Sequence, residues 1–169
     1  MTALASISVG VVVERIKAQS PWVDFVWKPS AVLAGVPDTP PWTKIAEDED
    51  RATFYAGPSQ IDLHPSETAR YRDNLASGVP LLWVVLRETG SEHPYAVHLV
   101  TADPAEGEGM TAAGNDIVDT VPMPAAIRDQ VEAFIAAHHV EETFVKRKRD
   151  RADPEGLARR APLAEKERP

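Results

Sequence analysis

Between Ser6 and Arg15, Ile7, Val9, Val11 and Val13 recur at every second position in a β-branched stretch, which predicts a strand. A second run, Trp22–Lys28, puts Val23, Phe25 and Trp27 on one face and Trp22, Asp24, Val26 and Lys28 on the other. It suits an antiparallel partner of the first strand, with Ala31–Ala34 as an extension that Pro29 should interrupt or hold at an edge. Arg51–Tyr55 and Gln60–His64 read as two short strands around an Ala56–Ser59 turn. Leu81–Leu86 is apolar on both faces, as in a covered central strand, and Pro94–Thr101 can return beside it.

Helical spacing enters twice. Ser66 is a candidate N-cap for a helix that ends near Gly78-Val79-Pro80. Pro124 opens a second helix whose Ile127, Val131, Phe134, Ile135 and His138 fall on one side, ready to pack on a sheet. The proline-rich Pro37–Trp42 and the four consecutive acids Glu47–Asp50 predict a surface loop, and Asp103–Asn115 an irregular one. The expected architecture is α+β: a mostly antiparallel sheet of about six strands, curled as a partly open barrel around Trp27, Trp83, Val85, Val97 and Leu99, with the C-terminal helix across it.

The chain has 169 residues, enough for one core and an appendage, and its 43% hydrophobic and 26% charged residues are those of an ordinary globular domain. Fifteen prolines against nine glycines favour short elements and argue against a helical bundle. Charge divides the chain further. Beyond Val145 there are nine Lys/Arg against five Asp/Glu, a net +4, whereas the preceding body carries −12. Residues 1–145 are therefore expected to form the domain and 146–169 a flexible, disordered basic tail with few apolar side chains to bury.

An acidic body repels phosphate backbones, so nucleic acid is not an expected partner. No apolar run is long enough to span a bilayer and the first residues lack a basic start, so no membrane association and a cytoplasmic location are expected. The absence of cysteine excludes disulfides, thiolate metal sites and cysteine nucleophiles in this chain.

Candidate chemistry is sparse. His138 and His139 stand near Glu141 and Glu142, but adjacent helical residues point about 100° apart, so capping of a helix end is favoured over a shared metal ion. Ser59 and Ser66 lie near His64 without a Gly-x-Ser-x-Gly elbow, and Glu47–Asp50 lacks the alternating carboxylates and central glycine of a calcium loop. Leu33-Ala34-Gly35 is followed by Val36-Pro37-Asp38 in place of the further glycines and basic residues of a phosphate loop. Trp22, Trp27 and Trp83 are read as core residues before ligand-stacking ones. No catalytic residue and no cofactor are expected, and enzymatic activity is disfavoured. A ligand pocket near His64, His98 and Trp22 stays open as an alternative. The basic run Lys146, Arg147, Lys148, Arg149 and Arg151 is the candidate partner-binding segment, either docking on an acidic protein or simply keeping the chain soluble.

Several blocks stand in a recognisable order: Val9–Arg15 with Ser20-Pro21-Trp22, Tyr71–Leu75, Thr101–Pro104, Val121–Pro124 and Phe144–Arg149. In these the chain resembles an uncharacterised proteobacterial domain-of-unknown-function family, three-three-zero-five, often labelled molybdopterin-guanine dinucleotide biosynthesis protein A. A guanylyltransferase of that name has a parallel, Rossmann-like sheet and a glycine-rich basic loop after its first strand, and this sequence has neither. The resemblance implies an accessory or maturation protein that binds a molybdenum-dependent redox enzyme, a molybdenum-dependent oxidoreductase, or its assembly machinery. The alternative reading of the residues is a small-molecule or nucleotide-binding domain, with or without enzymatic activity, that uses the pocket near His64, His98 and Trp22.

Overall fold

The computed structural model describes residues 2–112 and 114–139. Its strands are β1 (Ala5–Ser20), β2 (Val23–Leu33), β3 (Thr43–Glu47), β4 (Arg51–Leu63), β5 (Leu81–Glu88), β6 (Tyr95–Thr101) and β7 (Ile117–Pro122). Its α-helices are α1 (Thr68–Ala76), α2 (Pro104–Gly109) and α3 (Ala125–His138), with short 3-10 turns at Pro65–Glu67 and Met110–Ala112. The strands form two antiparallel sheets, ordered β2-β1-β4-β3 and β6-β5-β7, and neither closes on itself. The fold is α+β, mostly antiparallel, with a C-terminal helix on the described body. The expected domain boundary at Val145 and the tail lie outside the described residues.

The alternation in β1 behaves as its chemistry requires: Val9, Val11 and Val13 are fully buried and Ile7 nearly so. They meet Ile61 and Leu63 of β4, Leu82, Val84 and Leu86 of β5, and Ile127, Val131 and Phe134 of α3 in one core. The expected centre of that core shifts by one residue on β5. Leu82, Val84 and Leu86 face it; of the two expected residues on the other face, Val85 is fully buried, whereas Trp83 packs against α2 and is only half-buried. Trp27 and Val97 pack at its margin, and Leu99 is half-buried.

Four expectations about elements are corrected. Arg51–Tyr55 and Gln60–His64 are parts of one strand, β4, because Ala56-Gly57 is a bulge and not a turn: Val11 pairs Gly57 while Val12 pairs Tyr55, leaving Ala56 as the extra residue. Gly57 has φ 134, a backbone conformation that glycine adopts without a Cβ penalty. Within the predicted loops, Thr43–Glu47 is a strand, and Pro104–Gly109 and Met110–Ala112 are helical. Ile117–Pro122, for which no element was expected, is the strand that completes the second sheet beside β5. Finally, α1 starts at Thr68 with Glu67, not Ser66, at the cap position, and Ser66 Oγ donates to Glu67 Oε1 at 3.3 Å.

Pro29 does interrupt the ladder. Val12 pairs Ala31 and Val13 pairs Pro29, so Ser30 bulges from β2, the edge strand, directly across β1 from the Ala56 bulge of β4. The acids Glu47–Asp50 make the tight β3–β4 connection, where Asp48 Oδ1 accepts hydrogen bonds from the N–H groups of Asp50 (3.0 Å) and Arg51 (2.9 Å). Among the described residues no helix is long and apolar enough to cross a membrane.

Candidate functional site

The polar chemistry of the body gathers where β4 ends and α1 and α2 begin. The buried Asn74 of α1 fixes this corner: its Nδ2 donates to the carbonyls of Leu81 (2.8 Å) and Ala102 (3.0 Å), and its Oδ1 accepts from Leu81 N–H (3.0 Å). One side chain thereby ties α1 to the starts of β5 and of the β6–α2 connection. Asp103 caps α2, accepting from Ala105 N–H at 2.9 Å, and Pro104 follows at the first helical position, where a missing N–H costs nothing. Gly107 lets α2 lie against β5, since a Cβ there would stand 2.1 Å from Cγ of Trp83.

The start of α1 is held in turn against α2. Arg70 Nε donates to Asp103 Oδ1 at 2.8 Å, and its NH2 pairs with Glu67. Tyr71 is 1% exposed, and its hydroxyl oxygen accepts from His64 N–H at 3.1 Å. Burial pushes the Tyr71 hydroxyl up; the charges of Asp103 and Glu106 add to that, against the His64 hydrogen bond. Between these elements lies an open cleft of about 500 Å³, lined by His64, Glu67, Arg70, Tyr71, Asp103, Ala105 and Glu106. Its size is that of a small-molecule site.

Of the three residues expected at a ligand pocket, only His64 lines this cleft. Its Nδ1 is shut off from solvent and has no hydrogen-bond partner among the described residues. His98 is exposed on β6, away from this cleft. Trp22 stands in the β1–β2 turn and is 90% exposed, so it is neither in the cleft nor in the core. Arg70, Tyr71, Asp103 and Glu106 were not singled out as site residues. The available signal was Asp103-Pro104, a cap residue followed by proline, which marks a helix start inside the predicted loop.

At the C-terminus of α3 the two histidines diverge as adjacent helical residues must. The His138 ring packs on Phe134 at 4.6 Å, while His139 caps the helix through its N–H to Ile135 O (2.8 Å). The His139 ring meets Thr68 Oγ1 at 3.0 Å and Arg72 at 3.2 Å, tying α3 to α1. No cluster of three or more metal-ligating side chains occurs among the described residues. Lys146, Arg147, Lys148, Arg149 and Arg151 lie outside them.

A second surface of different character ends the first sheet. Past Lys17 the β1–β2 hairpin has no further register with β4 and continues as two strands to the turn at Trp22. There Trp22, Val23, Phe25 and Val26 are all exposed, Val23 by 53% and Val26 by 51%. The Arg15 guanidinium covers the inner side of Phe25, 4.5 Å from its ring, and also lies over Phe54 and Trp27. Behind it Trp27, Trp42, Phe54 and Tyr95 make edge-on and tilted contacts, and His93 stacks on Trp42.

Fold and surfaces together define a small antiparallel α+β domain with a polar cleft at one corner and an apolar hairpin tip at another. The chain belongs to the family described as Protein of unknown function (DUF3305), whose model matches residues 8–148. No curated protein and no solved structure matches it.

Proposed function

We propose that this protein is a non-catalytic accessory or maturation factor that docks, in the cytoplasm, on a molybdenum-dependent redox enzyme or its assembly machinery. The observation that carries the docking role is the hairpin tip, where a tryptophan 90% exposed stands beside exposed Val23, Phe25 and Val26. Exposed apolar side chains grouped at one hairpin tip leave hydrophobic free energy unused until a partner covers them, and tryptophan is a preferred anchor of such contacts. The nature of the partner comes from the family resemblance in the sequence. The basic segment from Lys146 to Arg151 is a second contact that would hasten encounter with an acidic surface.

The test is affinity capture from the native host with the full chain, with Trp22→Ala and with a chain ending at Val145, the bound proteins being identified by mass spectrometry. The full chain should retain a molybdenum-dependent enzyme or one of its assembly proteins, Trp22→Ala should lose it, and the shortened chain should hold it less well. Retention of no such protein by the full chain overturns the proposal. Equal retention by Trp22→Ala removes the hairpin from it.

The cleft beside His64 favours a second reading, a domain that binds a small molecule.

A further inference from the structure

Strand β2 is an edge of its sheet, and the direction of its backbone groups follows from its neighbour β1. Lys17 gives its N–H to the Asp50 carbonyl at 2.8 Å, on the β4 side of β1. Backbone groups alternate along a strand, so Glu14 and Ile16 turn theirs the other way, toward Lys28 and Val26 of β2. The N–H and C=O groups of Phe25 and Trp27 therefore point out of the sheet, and among the described residues no strand pairs with them. Pro29 obeys the same alternation: the N–H it lacks is one that would have faced outward, so the ladder to β1 loses nothing there. Natural edges are blunted by proline, bulges and charge. Here the proline and the Ser30 bulge act only from Pro29 onward, and before them Phe25 and Val26 are 42% and 51% exposed. The one lysine on this stretch, Lys28, has a counterpart in Asp24, exposed on the same face with Val26 midway between. Neither makes an ion pair among the described residues, and Glu14, which faces Lys28 from β1, is held by Arg51 at 3.5 Å.

We propose that the outer edge of β2 pairs with the same edge of a second copy of this chain, antiparallel and centred on Val26. A two-fold contact sets one strand against its own reversal, so the strand must be self-complementary. β2 is. With Val26 opposite Val26 of the second copy, Asp24 of each chain stands opposite Lys28 of the other, and Phe25 opposite Trp27. Phe25 and Trp27, whose backbone groups point outward, exchange the N–H···O=C bonds across the two-fold axis. The Asp24–Lys28 and Val26–Val26 pairs fall between those bonds, where facing side chains come closest. Sliding the register by two residues either way sets one of the charges against Val26 and loses both charge pairs. In the centred register the two four-stranded sheets run on as one. The proposal goes beyond docking on a redox enzyme and is independent of it, because pairing uses the strand edge and Trp22 lies past its last pair, Val23 with Pro29.

Sedimentation equilibrium of the full chain over a range of concentrations tests this. The native chain should form a two-chain species in reversible equilibrium with the monomer. Asp24→Lys and Lys28→Asp, both at exposed positions and with circular dichroism unchanged, should each weaken that species by at least about tenfold, since each turns two attractive pairs into two repulsive ones. Mixed in equal amounts, the two variants should associate with each other about as tightly as the native chain does with itself, because opposite charges then face each other at both pairs. A native chain that stays monomeric at the highest concentration reached overturns the proposal, and is the result expected if the edge takes a strand from a different protein. A dimer that neither substitution weakens is built on another surface and overturns it too. Variants that are monomeric alone and stay so when mixed overturn the pairing about Val26.

Discussion

The cleft corner and the hairpin tip solve opposite problems. At the corner, polar groups are taken inside and paired: Asn74 satisfies three backbone groups, Asp103 serves both a helix N-terminus and Arg70, and Gly107 clears the space for Trp83. At the tip, apolar side chains are left outside, with Trp22, Val23 and Val26 in water. The corner is therefore where folding free energy is concentrated, and the tip is where binding free energy is held in reserve. A substitution should report on one or the other, seldom on both.

The largest effect is expected at the corner. Gly107→Val would drive a branched side chain into the Trp83 ring and should cost about 4 kcal/mol in chemical denaturation; a near-neutral result would show that α2 moves freely off β5. Asn74→Ala leaves the Leu81 amide and the Leu81 and Ala102 carbonyls without their partner, and a loss of about 3 kcal/mol is expected. Retention of full stability would mean that water replaces all three bonds.

A smaller effect should come from acid. Asp116 is lowered by its hydrogen bond to Arg87, and a carboxylate lowered in the native state adds stability that is complete above the ordinary carboxylate range and lost as pH falls through its native value. The difference in Tm between the native chain and Arg87→Ala should accordingly be greatest near neutrality and shrink on acidification; a difference that stays constant with pH would assign the role of Arg87 to packing. The smallest effect is expected at the tip, where Trp22→Ala should change stability by less than about 0.5 kcal/mol. A loss comparable to that of Asn74→Ala would erase the contrast between the two regions.

What the sequence made legible follows the same division. β1, the β5–β6 pair and α3 announce themselves because each has an apolar face repeated at the period of its element. β3 and β7 do not: each is an outer strand of its sheet, five or six residues long, formed because a longer neighbour offers its hydrogen bonds. Gly57-Pro58 has the composition of a turn, and only pairing with the 16-residue β1 turns it into a bulge. The cleft was legible at His64 alone. Its other polar groups come together through contacts such as Arg70 with Asp103, 33 residues apart, which no local pattern encodes. Trp22 looked like core because it lies in a strand-like apolar run, but its position in the turn puts it beyond any layer that could cover it.

The paired bulges on either side of Val12 carry one more consequence. Ser30 and Ala56 each add a residue to a neighbour of β1, so β2 and β4 shift register there while β1 runs through unbroken and buries Val9, Val11 and Val13, and within one chain the hairpin beyond Lys17 pairs only with itself. The hairpin can thus change its reach without disturbing the core. Two residues added to each of its strands would carry the tryptophan about 7 Å farther and keep every side chain on its present face, which makes the distance to a partner a property that can be tuned independently of the fold.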